Sequence, residues 1–245
     1  MQAIILAAGA SKRLRPLTDN TPKCLLKIGR KNILERTIEN LLEYGVKEFI
    51  FVTGYREEMI IDFCNANFKE INKTFITNAD FNNNNNSYSL WMTRDYIKDD
   101  ILLLDSDILF DKKIIGKLLN SHHDNCLAVN FTNKLDEEQI KVILNNENKV
   151  LEIGKEISIS DAAGESIGIE KFSSYFMKEL FIILNRKIKD ENNVNEFYEA
   201  SFQELINRCE SRNSIYAVDV AQFKCIEIDT VQDYENAQRI LIQNE

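Results

Sequence analysis

Proline and histidine are scarce in this chain, with two of each among 245 residues, and glycine is held to eight. No stretch rich in proline, glycine or serine marks a linker, and no internal repeat divides the sequence, so a single domain over 1–245 is expected, with halves 1–112 and 113–245. Five cysteines, Cys24, Cys64, Cys126, Cys209 and Cys225, are scattered with no CxxC pair. An odd, scattered set excludes a disulfide framework and a zinc knuckle. No apolar run approaches the roughly 20 residues that cross a bilayer. Met1 and Gln2 lead directly into a short apolar run without a charged leader, so the expected location is the cytoplasm, with no membrane partner. Two phosphate-binding signatures are missing as well: there is no GxxxxGK[ST], and Gly9 is followed by Ala10, Ser11 and Lys12 rather than a GxGxxG pattern.

The formal net charge is −9, which argues against broad nucleic-acid binding, whose affinity comes from Lys and Arg on phosphates. Against that acidic background, Lys12, Arg13, Arg15, Lys23, Lys27, Arg30 and Lys31 share one short stretch with a single acid, Asp19. Such a stretch suits a small anionic ligand; a solvated loop is the competing reading.

Three continuous apolar runs, 3–6, 49–52 and 101–104, have the form of strands buried on both faces of a parallel sheet. Helical patterns alternate with them. Asn32 and Glu35 form a capping box for a helix that ends at Gly45, a second helix is expected over about 55–66, and a third from near Ser87. In the second half, 141–144 and 149–153 flank an Asn-rich turn and predict a hairpin. Helices follow over about 173–186 and 194–208, strands near 214–218 and 224–228, and a last helix capped by Thr230 with Tyr234, Ala237 and Leu241 on one face. The alternation defines an α/β fold with helices on both faces of the sheet.

The loop after the first strand, Leu6-Ala7-Ala8-Gly9-Ala10-Ser11-Lys12-Arg13, sits where open α/β sheets bind ligands. Small residues there let backbone N–H groups approach a polyphosphate. Both prolines, Pro16 and Pro22, lie in this loop and restrict its freedom, so Arg13 and Lys23 can be held in place before a ligand arrives. Asp105 and Asp107 follow the third strand, and Asp229 follows the late strand 224–228 in the run Cys225-Ile226-Glu227-Ile228-Asp229-Thr230. Acids at strand ends can hold Mg²⁺; a turn residue and a helix-N-terminal acid are the alternatives. His122 and His123 are expected on a surface turn without a catalytic role.

The run from Leu6 to Lys23 resembles the opening LAAGxGxRLxPLTxxxPK of nucleotidyltransferases of the sugar-phosphate and choline-phosphate type, with Ser11 in place of the second glycine and no proline in the stretch after Lys23. The resemblance implies a Rossmann-like three-layer α/β/α fold with a mixed, mostly parallel central sheet. It implies that the backbone of Leu6 to Ser11, with Arg13 and Lys23, receives a triphosphate. The DxD and the Glu-x-Asp-Thr segments imply metal ligation by Asp107 and Asp229, with Asp105 supporting or contacting a ribose, and Lys23, Arg13 and Asp107 as the catalytic set. Thr53 and Gly54, in a VxGY-like segment, lie beside the base in that family. The stretch from Asn78 to Leu90 most resembles choline-phosphate cytidylyltransferases of bacterial surface decoration, with Asn86 and Ser87 toward a cytosine edge; helix capping is the alternative. The segment 163–169 resembles an acceptor-side strand. Glu165 and Glu199 are candidates for a cationic acceptor, and Tyr88, Trp91, Phe172 and Tyr198 for an aromatic box around it, with plain core as the alternative. The implied partners are CTP, Mg²⁺ and a small phosphorylated acceptor, in a monomer or homodimer. A sugar 1-phosphate enzyme and a non-catalytic nucleotide-binding module are the competing readings.

Overall fold

The structure, a computed structural model, describes residues 1–132 and 134–242. The strands are β1 (Gln2–Ala7), β2 (Lys27–Ile28), β3 (Lys31–Asn32), β4 (Glu48–Thr53), β5 (Asn72–Thr77), β6 (Ile101–Asp105), β7 (Ile108–Phe110), β8 (Cys126–Asn130), β9 (Lys141–Leu144), β10 (Val150–Gly154), β11 (Gly164–Phe172), β12 (Tyr216–Asp219) and β13 (Cys225–Glu227). The α-helices are α1 (Ile33–Glu43), α2 (Glu57–Asn67), α3 (Asn86–Met92), α4 (Lys113–Asn120), α5 (Ser174–Asn185), α6 (Glu199–Asn207) and α7 (Val231–Ile242).

The mixed sheet is parallel through its centre, where β6, β1, β4 and β5 lie side by side. All six residues of β1 are buried, as its continuous apolar run requires. Alternate residues feed two cores. Ala3, Ile5, Phe49, Phe51, Leu102 and Leu104 meet Leu34, Ile38 and Leu41 of α1, Ile60 of α2 and Ile114 of α4. Ile4, Ile50, Val52, Ile101 and Leu103 meet Leu90 of α3, Phe176 and Leu180 of α5 and Phe202 of α6 on the other face. The expected three layers follow.

The second half extends the same sheet through β11. This long strand runs antiparallel to β6, to β8 and to β9, and its register with β8 breaks between Ser166 and Glu170. Gly168 lies in that break with φ +68. The predicted hairpin is β9–β10, closed by Asn145–Asn148 with Asn148 at φ 60.

Several boundaries moved for tertiary reasons. The helix expected from residue 55 begins at Glu57, because the Tyr55 N–H donates to the Ala8 carbonyl at 3.0 Å and Arg56 takes a left-handed conformation. The helix expected from 194 begins at Glu199; the Val194 carbonyl instead accepts from Asn85 N–H at 2.9 Å. The Asn32 half of the expected capping box is present at α1, with Asn32 accepting from Glu35 N–H at 2.7 Å. The side chain of Leu241 lies outside the described residues, while Ala237 is buried with Leu14, Ile28, Ile33 and Ile228 in a third small core under the first loop. No helix among the described residues is long and apolar enough to cross a membrane.

Candidate active site

The site forms where β1, β6 and β13 deliver their loops to one edge. β13 stands outside the main sheet and pairs antiparallel with β7, opposing Glu227 to Ile108. The Ile228 N–H then donates to the Asp107 carbonyl at 3.0 Å. This short two-stranded ribbon brings Glu227 and Asp229 beside Asp107.

Lys23, at the end of the first loop, joins the acids. Its ammonium lies 2.6 Å from Asp107 Oδ2 and 2.8 Å from Asp229 Oδ1. Arg13 reaches Asp229 Oδ2 at 2.6 Å. Burial works against the charge on Lys23, but Asp107 and Asp229 outweigh it and raise its pKa. Burial would likewise favour neutral Asp229, yet Lys23 and Arg13 hold its carboxyl below the usual range. Glu227 opens onto the cleft; the protein packed on its other sides, then the Asp107 and Asp229 charges, push its pKa up to about 8.

Carboxylate oxygens of Asp107, Glu227 and Asp229 lie within 4.8 Å of one another. Asp107 Oδ1 is buried with no hydrogen-bond partner among the described residues. Three hard oxygen donors and an orphaned buried carboxylate oxygen fit a divalent cation of the Mg²⁺ type. Glu227 escaped notice as a ligand in the sequence, although its position two residues before Asp229 puts both on the same side of an extended chain.

The first loop is built for close approach. Leu6, Ala7 and Ala8 are buried, and the chain reaches the surface at Gly9. A Cβ added at Gly9 would meet nothing within 4 Å, so the turn faces open space. Ser11 is left-handed with φ 46, and its carbonyl accepts from the Thr18 hydroxyl at 2.9 Å, which closes the loop. Ala10 and Ser11 stay partly exposed. Gly54 supports this loop from below: a Cβ there would meet the Ala8 carbonyl oxygen at 2.8 Å.

A cleft of about 640 Å³ runs from Arg13 and the acid cluster to Asn86, Glu165, Phe197 and Glu199. Among the described residues, nine Asp and Glu side chains line it against two cations, Arg13 and Lys155. The imbalance favours ligands that carry positive charge, a metal ion among them. Glu199 is 6% exposed, and its Oε2 has no partner among the described residues. Burial pushes its pKa up to about 7, with Lys155 pulling the other way.

Other sequence expectations fall elsewhere. Thr53 is fully buried and its hydroxyl donates to Glu57 Oε2 at 3.0 Å, so its side chain does not face the cleft. Asn86 does face it, but α3 is capped by Asn85, and Ser87 is buried with no partner for its hydroxyl among the described residues. Tyr88 turns away toward Trp91, at 5.5 Å between ring centres, and lines a separate hollow with Asp80 and Lys189. The aromatic box does not assemble. Phe172 and Tyr198 are fully buried in the core, and Trp91 already carries Arg94 at 3.8 Å and Lys189 at 4.9 Å over its ring. Aromatic surface is spent on packing, where the cores needed it. Tyr198 instead touches Asp105. His123 stacks on Tyr216 at 3.5 Å, next to the start of β8.

The model of the nucleotidyl transferase family matches residues 2–140, and the chain belongs to that family. Over nearly its full length it is similar to two cytidylyltransferases. It is 28% identical to CTP:phosphoglutamine cytidylyltransferase of Campylobacter jejuni, covering 96% of this chain and 98% of that protein. It is 25% identical to choline-phosphate cytidylyltransferase of Streptococcus pneumoniae, covering 98% of each. Among solved structures, CTP:phosphocholine cytidylyltransferase from Streptococcus pneumoniae superposes with a TM-score of 0.77 at 24% identity, covering 98% of each chain. The inositol-1-phosphate CTP transferase from T. maritima gives a TM-score of 0.76 at 22% identity, covering 98% of this chain and 95% of that one. These two share the fold.

Proposed function

We propose that this nucleotidyltransferase transfers CMP from CTP to a small phosphorylated acceptor and releases pyrophosphate, with Mg²⁺ as its metal. The observation that carries the reading is the meeting of Lys23 and Arg13, from the phosphate-approach loop, with Asp107 and Asp229 in one ion-paired cluster. The nearly full-length similarity to two cytidylyltransferases supports CTP as the donor.

In this reading the backbone of Gly9 to Ser11 receives the triphosphate and Asn86 meets the base. Asp107, Glu227 and Asp229 hold the divalent cation, which supplies charge neutralisation at the α-phosphate and the attacking phosphate. Lys23 and Arg13 offset charge on the transferring and leaving groups. An oxygen of the acceptor phosphate forms a bond to the α-phosphorus in line as the bond to pyrophosphate breaks. No base is needed, since a phosphate dianion is already a nucleophile. Catalysis then comes from placing two anions together and neutralising them.

The acidic cleft favours an acceptor bearing a positive group beside its phosphate, such as phosphocholine, phosphoethanolamine or an aminoalkylphosphonate, with Glu165 and Glu199 facing that charge. A panel of four nucleoside triphosphates against these acceptors and hexose 1-phosphates tests both choices. Pyrophosphate release with CTP and a cationic acceptor is the expected result. Release confined to hexose 1-phosphates rejects the acceptor, and CTP binding without turnover on any acceptor rejects the enzyme reading.

A further inference from the structure

Tyr198 is completely buried, yet it ties together three elements that carry substrate contacts in the reading above. Its backbone N–H donates to Asn86 Oδ1 on α3 at 3.0 Å. Its hydroxyl lies 3.2 Å from Asp105 Oδ2 at the end of β6 and 3.4 Å from Glu170 Oε1 on β11. The next residue in the chain, Glu199, faces the cleft.

One phenol can satisfy both carboxyls only by giving its single proton to one and accepting from the other. Glu170 is 1% exposed and its Oε2 has no partner among the described residues. Burial, then the charges of Asp105 and Glu199, raise its pKa well above the carboxylate range. The Tyr198 hydroxyl thus bridges the two carboxyls, joining Asp105 at the end of β6 to Glu170 on β11. Gly168 leaves room for the same oxygen: a Cβ there would come within 2.8 Å of Asp105 Oδ2. The Asp105 carboxyl is thus held by the phenol, with the backbone of β11 close by at Gly168, while still lining the cleft.

We propose that Tyr198 is a positioning residue that locks the nucleotide-side Asp105 and Asn86 to the acceptor-side Glu199, so that filling one substrate site pre-forms the other. The proposal rests on the two-site reading above. Coupling of this kind is reciprocal and typically amounts to roughly 5- to 150-fold in affinity. Tyr198 reaches it through Asp105 and Asn86, touching neither substrate.

The test compares wild type with Tyr198→Phe. Binding of α,β-methylene-CTP with Mg²⁺ is measured by calorimetry with and without phosphocholine, or the panel acceptor that releases pyrophosphate. In Tyr198→Phe the coupling factor should fall to near 1 and kcat should drop roughly 10- to 100-fold, the scale of small misplacements. Each ligand alone should bind within a few-fold of wild type. Glu170→Gln, which keeps a hydrogen-bonding partner for the phenol, should stay close to wild type, and Glu170→Leu should reproduce the loss if Tyr198→Phe fails to fold. Amide exchange in ligand-free protein reads the strut independently of turnover: residues 104–108 should exchange faster in Tyr198→Phe. Unchanged coupling and kcat, or unchanged exchange at 104–108, overturns the proposal. A wild type inactive on the whole panel but showing the exchange difference overturns the acceptor reading and leaves the strut standing.

Discussion

Lys23 sits 2.8 Å from Asp229, a residue 206 positions further along the chain. The same ammonium lies 2.6 Å from Asp107, so one side chain from the first loop closes the two strand-end acids into a single unit. Because the flanking carboxylates hold Lys23 in its charged form, it stays a fixed cation wherever the enzyme operates.

Lys23→Met should lower kcat by roughly 10²- to 10³-fold, the usual cost of removing one preorganised group from developing charge. Lys23→Arg should not restore it, because a planar fork cannot take the place of a compact ammonium between two carboxylates. Steady-state pyrophosphate release checks both variants, with circular dichroism to confirm folding.

Asp107→Asn, Glu227→Gln and Asp229→Asn should each weaken divalent-cation binding by at least about 10- to 100-fold, since even outer-shell changes cost that much. Mn²⁺ binding followed by electron paramagnetic resonance reads this directly. Wild-type Mn²⁺ affinity in all three variants would remove the metal assignment.

Glu199 carries a pH signature. Its folded pKa, about 7, lies above the ordinary carboxyl value of 4.5. The folded state therefore holds a proton that the unfolded state has lost, and stability contributed by this site declines as pH rises from about 4.5 to about 7. The decline is on the order of 3 kcal/mol for a shift of this size. Melting temperature against pH should fall less steeply in Glu199→Gln than in wild type by that amount, with the remaining fall coming from Glu227 and Glu170, whose carboxyls are also raised.

Gly168→Ala should destabilise the fold by about 2 kcal/mol or more, from the left-handed conformation and the clash together. The φ there is +68, and the added Cβ meets Asp105 Oδ2 at 2.8 Å and Ile108 Cδ1 at 3.0 Å. For a chain of this length that is roughly a 4–8 °C drop in Tm by calorimetry.

Much of this was legible in the residues. Continuous apolar runs placed β1, β4 and β6 because strands covered on both faces have no polar side to show. The capping box placed the start of α1, and the Asn-rich turn placed the β9–β10 hairpin. The small-residue loop raised the expectation of fixed cations at Arg13 and Lys23, and the structure sets both beside strand-end acids. Local composition was a poor guide to aromatic side chains. Tyr88, Phe172 and Tyr198 could pack or bind equally well by sequence, and burial assigned Phe172 and Tyr198 to the core.

What the sequence determined by itself is the set of local elements and the glycine-bearing first loop, because strand periodicity, capping and turns are set by neighbours in the chain. What only the tertiary structure decided is which distant acids share a site. The β7–β13 ribbon carries Glu227 and Asp229 to Asp107, and Tyr198 holds Asp105 beside Gly168 in the β11 break. Those pairings depend on how the second half folds back over the first, and long-range contacts of that kind leave no periodic trace in one dimension.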